Sequence, residues 1–171
     1  RQMCIRDRYR APHSFEGPLR DTLEYKEKDW PEIEKAHAAK ITLLDKQIGR
    51  LINKLKEIDE LDNTLILFTS DNGPHFADGG HELEFFNSNG KLRGGKRDLY
   101  EGGVRVPLIA YWKNKIRPKG KSYHISGFQD IMATFAEIID YKVGENIDGI
   151  SFLPTLLNED QQKHEYLNWE Y

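Results

Sequence analysis

The sequence lacks the features that several broad classes of protein require. Its 171 residues include a single cysteine, Cys4, so a framework of disulfides within the chain is excluded. No apolar run approaches the ~20 residues that a membrane-spanning helix needs. The 25 basic residues are outnumbered by 28 acidic ones, which argues against a general nucleic-acid binder because such proteins present a basic face. The length favours one domain with a sizeable core.

Two apolar runs and two amphipathic segments predict an α/β domain with a layered sheet and flanking helices. Residues 65–68 show no polar alternation, which is typical of a strand buried on both faces of a parallel sheet. A second run, 104–112, predicts another strand. Asp29, with Pro31 and Glu32 after it, predicts the N-cap of a first helix. One apolar stripe of this helix is expected to pack on the sheet; it consists of Ile41, Leu44, Ile48, Leu51, Ile52, Leu55 and Ile58.

Two further elements are predicted towards the end of the chain. Residues 130–140 predict a second helix, because their apolar side chains recur on one side: Ile131, Phe135, Ile138 and Ile139. Residues 166–171 alternate as in a strand.

A long loop of irregular pattern joins the two apolar runs. Loops of this length inside compact domains are usually functional or disordered. Disorder fits poorly, since the loop has many large apolar side chains to bury: Phe76, Leu83, Phe85, Phe86, Leu92, Leu99 and Tyr100. We therefore predict that it forms the wall of an active site.

Asp71 and Asn72 directly follow the first apolar run. In open α/β sheets, ligands bind beyond the carboxyl ends of the strands, and a carboxylate beside an amide oxygen suits Ca²⁺ or Mg²⁺. On local chemistry alone, Asn72 and Gly73 more often form a plain turn. His75 and His81 are candidate ligands or proton donors, although the sequence offers no clear partners for a zinc site.

The segment 90–97, GKLRGGKR, nearly spells a phosphate-binding P-loop. Its last position holds Arg97 instead of Ser or Thr, and a polar segment precedes it, so we reject the nucleotide interpretation. A flexible backbone with three or four cations can still close on a tetrahedral oxyanion. A solvated basic turn explains the composition equally well.

In their order and spacing, these segments resemble the sulfatase family of formylglycine-dependent arylsulfatases, within the alkaline-phosphatase-like superfamily. The central matches are TSDNG at 69–73, LRGGK at 92–96 and YEGGVRVP at 100–107. Further matches are APH at 11–13, the helix at 38–49, NG at 89–90 and DGISFLP at 148–154. The resemblance covers nearly everything from residue 9 to residue 171.

The resemblance implies hydrolysis of a sulfate ester to an alcohol and sulfate, and it assigns roles to particular residues. Asp71 and Asn72 would be ligands of the catalytic divalent ion, Ca²⁺ or Mg²⁺. Lys96 and His13 would contact the sulfate, and His13 would also protonate the departing alcohol. Supporting roles around Lys96 fall to Arg93, Arg97 and Glu101, while the roles of His75 and His81 stay open.

The sequence departs from the family at its beginning. The family's nucleophile is a formylglycine made from the Cys or Ser of a C-x-P-x-R cassette, and Arg6 stands where the Pro after Cys4 would be. We predict that 1–8 are a foreign or artefactual segment, that 9–157 are the C-terminal part of the sulfatase α/β domain, and that 158–171 begin a truncated C-terminal subdomain. The formylglycine would lie in a missing N-terminal half, and this fragment alone would be inactive.

Two other functions stay open at this point. A phosphatase or phosphonate-ester hydrolase of the same superfamily would use similar metal and cationic groups, and only the upstream nucleophile would distinguish it. A non-catalytic, calcium-dependent relative would bind its ligand without turnover. The expected partner is a sulfated small molecule or glycan, with no nucleic acid and no membrane span in this chain. The resemblance also implies a periplasmic or secreted location.

Overall fold

The computed structural model describes residues 22–76, 81–118, 120–144 and 146–169. The chain divides into two compact units. The first combines the described residues up to Asp59 with Ser70–Pro107, and the second combines Glu60–Thr69 with the described residues from Leu108 onward.

One long helix dominates the first unit. Helix α1 spans Glu32–Glu57, with acidic residues in its first turn and basic residues in its last, a distribution that suits the helix dipole. The prediction that Asp29 caps this helix is wrong, because the capping position is Pro31 and no side chain bonds there. The fixed φ of proline suits the entry to a helix, and the carbonyl of Pro31 accepts the N–H groups of Glu34 and Lys35 at 2.9 and 3.1 Å.

The first third of α1 forms its buried face. Ala36, Ala38 and Ala39 are buried, and their small side chains allow neighbouring segments to approach closely. The predicted apolar stripe is covered only in part, since Ile41 and Leu51 are 46% and 49% exposed. None of the predicted stripe residues is among the buried residues of α1, so periodicity did not show which part of the helix would be buried.

The remainder of the first unit consists mainly of turns. From residue 70 to residue 100 the described chain forms no regular strand or helix, which matches the predicted loop. A short helix, α2, follows at Glu101–Val104. Val104 was expected in a strand, and that expectation is wrong: the backbone at Gly102 and Gly103 is packed against the loop before it.

The second unit contains a sheet of two strands. Strand β1 spans Ile66–Thr69 and strand β2 spans Leu108–Tyr111. They are antiparallel, with Ile66 opposite Tyr111 and Thr69 opposite Leu108. The expectation that the first apolar run is a strand buried on both faces of a parallel sheet is wrong for the described sheet, since β1 pairs antiparallel with β2 and Phe68 is 41% exposed. An apolar run indicates a strand, but it does not encode the direction of the neighbouring strand.

The described part of the second unit also contains two α-helices. Helix α3 spans Asp130–Ile138, which confirms the second predicted helix, and helix α4 spans Leu153–Leu157. The predicted terminal strand is not formed in residues 166–169.

Asp130, which is fully buried, organises the core of the second unit. One carboxylate oxygen accepts the N–H of Gly127 at 2.7 Å. The other accepts the N–H of Ile150 and lies near Nε2 of His164, each at 2.8 Å. A buried carboxylate requires such partners, and these three tie separate segments to the start of α3.

Candidate active site

Backbone hydrogen bonds in the first unit join the candidate metal-binding turn to the basic loop. The N–H of Gly73 donates to the carbonyl of Gly103 at 2.9 Å, and the N–H of Lys96 donates to the carbonyl of Pro74 at 2.7 Å. The turn that carries Asp71 and Asn72 therefore lies directly beside the loop that carries Lys96.

Glycine is required where these segments meet. A Cβ atom on Gly73 would lie 1.7 Å from the carbonyl oxygen of Gly102, and one on Gly95 would lie 2.6 Å from that of Pro74. Both distances are far below van der Waals contact, so only glycine allows the backbones to approach this closely. Gly73 and Gly95 thus have a steric explanation that composition alone did not provide.

The basic loop is closed by its own hydrogen bonds. The N–H of Gly102 donates to the carbonyl of Arg93 at 2.7 Å, and the N–H of Gly95 donates to the Asp98 carboxylate at 3.0 Å. The amide of Asn89 bonds to the carbonyl of Gly94. Sequence reasoning gave Asn89 no role beyond the NG match and did not single out Asp98, although Asp and Asn beside glycines are common in turns.

The predicted supporting residues lie around this closed loop. The guanidinium of Arg93 stacks 3.8 Å from the centre of the Tyr100 ring, a favourable cation–π arrangement. Glu101 pairs with Arg105 at 3.1 Å; both side chains are exposed, so the pair contributes little stability. Arg97 has a φ of 78°, in the left-handed region that non-glycine residues rarely adopt.

Asp71 and Asn72 present oxygen atoms of the kind that hard cations prefer. The Nδ2 of Asn72 donates to the carbonyl of Gly73 at 2.8 Å, which leaves the amide oxygen as the end suited to a cation. The Asp71 side chain is exposed. Within the described ranges, no group of three or more His, Cys, Asp or Glu side chains is arranged to hold a metal ion. The donor chemistry therefore fits calcium or magnesium, but further oxygen ligands are needed to complete a site.

His81 is anchored to α1 by a buried carboxylate. Its Nδ1 lies 3.2 Å from Oε2 of Glu34, and the two side chains are 4% and 1% exposed. The other oxygen of Glu34 accepts the N–H of Glu82 at 2.7 Å. Glu34 was missed by sequence reasoning, because an acidic residue in the first turn of a helix usually faces solvent.

Three histidines from α1 and the loop form one cluster. The rings of His37 and His81 stack with centroids 3.7 Å apart, and the ring of His75 meets that of His81 edge-on at 4.9 Å. Burial, together with His81, His75 and Lys40, lowers the pKa of His37 to about 4, so His37 is neutral near pH 7. No sequence signal distinguished His37 from the other polar residues of its helix.

His13 and Cys4 lie outside the described residues, as does the whole of segment 1–8. No described helix is long and apolar enough to cross a membrane.

Comparison with known proteins defines the class. The model of the sulfatase family matches residues 8–141, and the chain therefore belongs to the sulfatase family.

Individual relatives agree with this assignment. The chain is 37% identical over 134 residues to N-acetylgalactosamine-6-O-sulfatase of Bacteroides thetaiotaomicron, an alignment that covers 74% of this chain and 26% of that protein. It is 35% identical over 128 residues to human steryl-sulfatase, and this alignment covers 72% of the chain and 22% of steryl-sulfatase. The chain thus spans about a quarter of the length of the curated relatives it matches.

A solved structure confirms the predicted fold. The crystal structure of Ps i-CgsB in complex with k-i-k-neocarrahexaose superposes with a TM-score of 0.75 at 29% identity, covering 88% of this chain and 32% of that one. The described residues therefore form part of the alkaline-phosphatase-like α/β fold of sulfatases.

Proposed function

We propose that this chain supplies part of the active site of a sulfatase that hydrolyses a sulfate ester to an alcohol and inorganic sulfate. The observation that carries the proposal is the pair of backbone hydrogen bonds that holds Lys96 beside the Asp71–Asn72 turn. Membership of the sulfatase family supports a sulfate ester over a phosphate or phosphonate ester as the substrate.

Lys96 is proposed to bind the sulfate group. An ammonium group is a compact charge with three hydrogen-bond donors, which suits the oxygen atoms of a tetrahedral anion. The closed loop fixes the backbone on both sides of Lys96, because the N–H of Lys96 donates to the carbonyl of Pro74 and the N–H of Asp98 donates to the carbonyl of Gly95. A cation held in place before the reaction stabilises charge that develops on the substrate without reorganisation.

Asp71 and Asn72 are proposed to provide two oxygen ligands to a divalent cation, Ca²⁺ or Mg²⁺. When bound, such a cation would act as a Lewis acid on a sulfate oxygen. The bond from Asn72 Nδ2 to Gly73 keeps the amide oxygen available, and Asp71 adds the negative charge that a hard cation requires.

The proton for the departing alcohol is assigned to His13, by resemblance to the family. A histidine near its ordinary pKa of about 6.5 is a suitable general acid at neutral pH. The nucleophile, a formylglycine in the family, is assigned to a part of the protein beyond this sequence, since Cys4 is not followed by the required Pro.

The substrate class is proposed from the names of relatives. One curated relative is an N-acetylgalactosamine-6-O-sulfatase, and a solved relative is bound to its substrate D-glucosamine-2-N,6-O-disulfate. These names support a sulfated sugar as the substrate. Human steryl-sulfatase is a relative that is named for a different ester.

The test is the substitution Lys96→Ala in the full-length protein that contains this chain. We expect kcat/KM for a sulfate ester to fall by about 10²- to 10³-fold, the range for loss of one preorganised donor. The matched control is Lys46→Ala, on the exposed side of α1, which should leave turnover unchanged. Unaltered turnover in Lys96→Ala would remove Lys96 from the site.

Faster hydrolysis of phosphate esters than of sulfate esters by the unaltered protein would favour a phosphatase, and binding without turnover would favour a non-catalytic relative.

A further inference from the structure

We propose that Glu34 is a positioning residue for Lys96, and that it acts by fixing the loop segments that support the Lys96 backbone. This inference rests on the proposed function, because it assumes that Lys96 binds the sulfate group. It gives a role in turnover to α1, a helix that supplies none of the residues proposed to contact the substrate or the divalent cation.

Both carboxylate oxygens of Glu34 contact consecutive residues of the loop. Oε2 lies 3.2 Å from Nδ1 of His81, and Oε1 accepts the N–H of Glu82 at 2.7 Å. The Glu34 and His81 side chains are 1% and 4% exposed, so water does not compete for these contacts. Burying a carboxylate costs desolvation, and an apolar pair of similar volume often stabilises a fold equally well. The carboxylate adds direction, because its two hydrogen bonds orient the loop relative to α1.

One connection from Glu34 to the backbone of Lys96 passes through Leu83. This residue directly follows Glu82 and is 7% exposed. A Cβ atom placed on Gly95 would lie 3.3 Å from Cδ1 of Leu83, so the Leu83 side chain packs on the backbone directly before Lys96. A displacement of Glu82 would therefore also displace the side chain that supports this backbone.

The other connection passes through two histidine rings. The rings of His81 and His75 pack edge to face, with centroids 4.9 Å apart. His75 directly follows Pro74, whose carbonyl accepts the N–H of Lys96 at 2.7 Å. The two connections therefore reach consecutive residues, Gly95 and Lys96, from the two oxygen atoms of one carboxylate.

His37 holds the His81 ring from the side of α1. Its ring stacks on that of His81 with centroids 3.7 Å apart, and on that of Phe86 with centroids 6.0 Å apart. Burial, followed by the nearby basic groups, lowers the pKa of His37 to about 4. These basic groups are His81, His75 and Lys40. At neutral pH His37 therefore packs on the His81 ring without adding a positive charge beside it.

The test is a double-mutant cycle of Glu34→Gln and Lys96→Ala in the full-length protein, with 4-nitrophenyl sulfate as the substrate. Glutamine has the size of glutamate but only one acceptor oxygen, so it cannot accept hydrogen bonds from both loop residues. We expect Glu34→Gln to lower kcat/KM by about 10- to 100-fold, the scale of a misplacement of about 1 Å. In the Lys96→Ala background the same change should lower kcat/KM by less than about twofold, because the residue that Glu34 positions is absent. An equal factor in both backgrounds would overturn the proposal.

The pH profile separates positioning from packing. The carboxylate of Glu34 can accept a hydrogen bond from His81 whether the imidazole is neutral or protonated, whereas the amide nitrogen of a glutamine can pair only with the neutral ring. The ratio of kcat/KM of Glu34→Gln to that of the unaltered protein should therefore fall as the pH decreases. The other titratable groups of the cluster are His37 and Lys40 on α1 and His75 on the loop, and they are the same in both proteins. A ratio that is independent of pH would assign Glu34 to packing alone and overturn the proposal.

Glu32→Gln is the matched control, because Glu32 also lies in the first turn of α1 but is 81% exposed. This control should leave kcat/KM unchanged. If urea unfolding shows that Glu34→Gln does not fold, His81→Asn replaces it in the cycle, since asparagine can still donate to Glu34 but lacks the ring that contacts His37 and His75. An equal loss in both backgrounds, or loss of folding in both variants, would assign the cluster to folding alone and overturn the proposal.

Failure of the proposed function gives a different result, in which Lys96→Ala turns over the sulfate ester like the unaltered protein. Failure of this inference alone would leave Lys96→Ala impaired and the effect of Glu34→Gln equal in both backgrounds. If the unaltered protein turns over no sulfate ester, the same cycle is measured as the calorimetric affinity for inorganic sulfate. Additive changes in that affinity would reject the role of Glu34.

Discussion

At the scale of single residues, the backbone conformation of Arg97 constrains the position of Lys96. The φ of 78° at Arg97 and of 82° at Gly94 place a left-handed residue on each side of the Gly95–Lys96 pair. Strained conformations of this kind persist where the surrounding structure holds them, and they concentrate at functional sites. The turn after Lys96 therefore helps to orient the Lys96 side chain.

A pair of substitutions separates this backbone effect from the charge of Arg97. Arg97→Gly and Arg97→Val both remove the guanidinium, but only valine resists a positive φ, at a cost of about 1–2 kcal/mol. We expect the valine variant to unfold at lower urea concentration than the glycine variant and to turn over a sulfate ester more slowly. Equal stability and turnover in the two variants would show that the conformation at this position has no influence.

The proposed site residues differ in how much the sequence revealed of them. Asp71, Asn72 and Lys96 were selected because their order and spacing match a family pattern, and the structure brings their segments together. Glu34 and His37 carried no such signal, because a buried carboxyl group and a stacked imidazole on a helix look like ordinary polar positions in sequence. Their importance depends on contacts with residues more than 40 positions away, which local patterns do not encode.

At the scale of elements, short helix α2 and the loop before it behave as one packed unit. A Cβ atom on Gly102 would lie 2.1 Å from the carbonyl oxygen of Gly94, and one on Gly103 would lie 2.1 Å from that of Asp98. This contact explains why the expected strand starts later, at Leu108. The sequence indicated two strands correctly, but pairing direction and the exact start of the second depended on packing outside the apolar runs.

A contrast between two glycines tests this packing. Gly102→Ala should destabilise the protein and lower turnover, because the new methyl group displaces the backbone that supports Lys96. Gly49→Ala, inside α1 with no heavy atom within 4 Å of the new Cβ, should raise the free energy of unfolding by about 0.5–1 kcal/mol. Urea unfolding measures both changes. A Gly102→Ala variant as stable and active as the unaltered protein would contradict the close approach of α2 and the loop.

At the scale of the whole molecule, the chain carries part of the family's fold and, under the proposed assignment, a part of the catalytic groups. It covers 26% of the N-acetylgalactosamine-6-O-sulfatase that it resembles, and its described residues offer no complete metal-binding cluster. The family was recognisable from sequence because several short segments occur in a fixed order, each of them weak alone. The number of metal ligands and the substrate were not recognisable, since they depend on residues brought together from distant parts of a protein.

The 171-residue chain and the full-length protein should therefore differ in catalysis and in calcium binding. We expect the isolated chain to hydrolyse no 4-nitrophenyl sulfate, because it has no C-x-P-x-R cassette around Cys4. Its calcium affinity should also be weak, because Asp71 and Asn72 supply two of the 6–8 oxygen ligands that Ca²⁺ takes. The full-length protein should lose turnover on treatment with EGTA and regain it with added calcium.

Calorimetry measures the calcium affinity of both proteins, and the ester assay measures their turnover. Turnover by the isolated chain would show that its own residues suffice for catalysis, and turnover of the full-length protein that resists EGTA would remove calcium from the proposal.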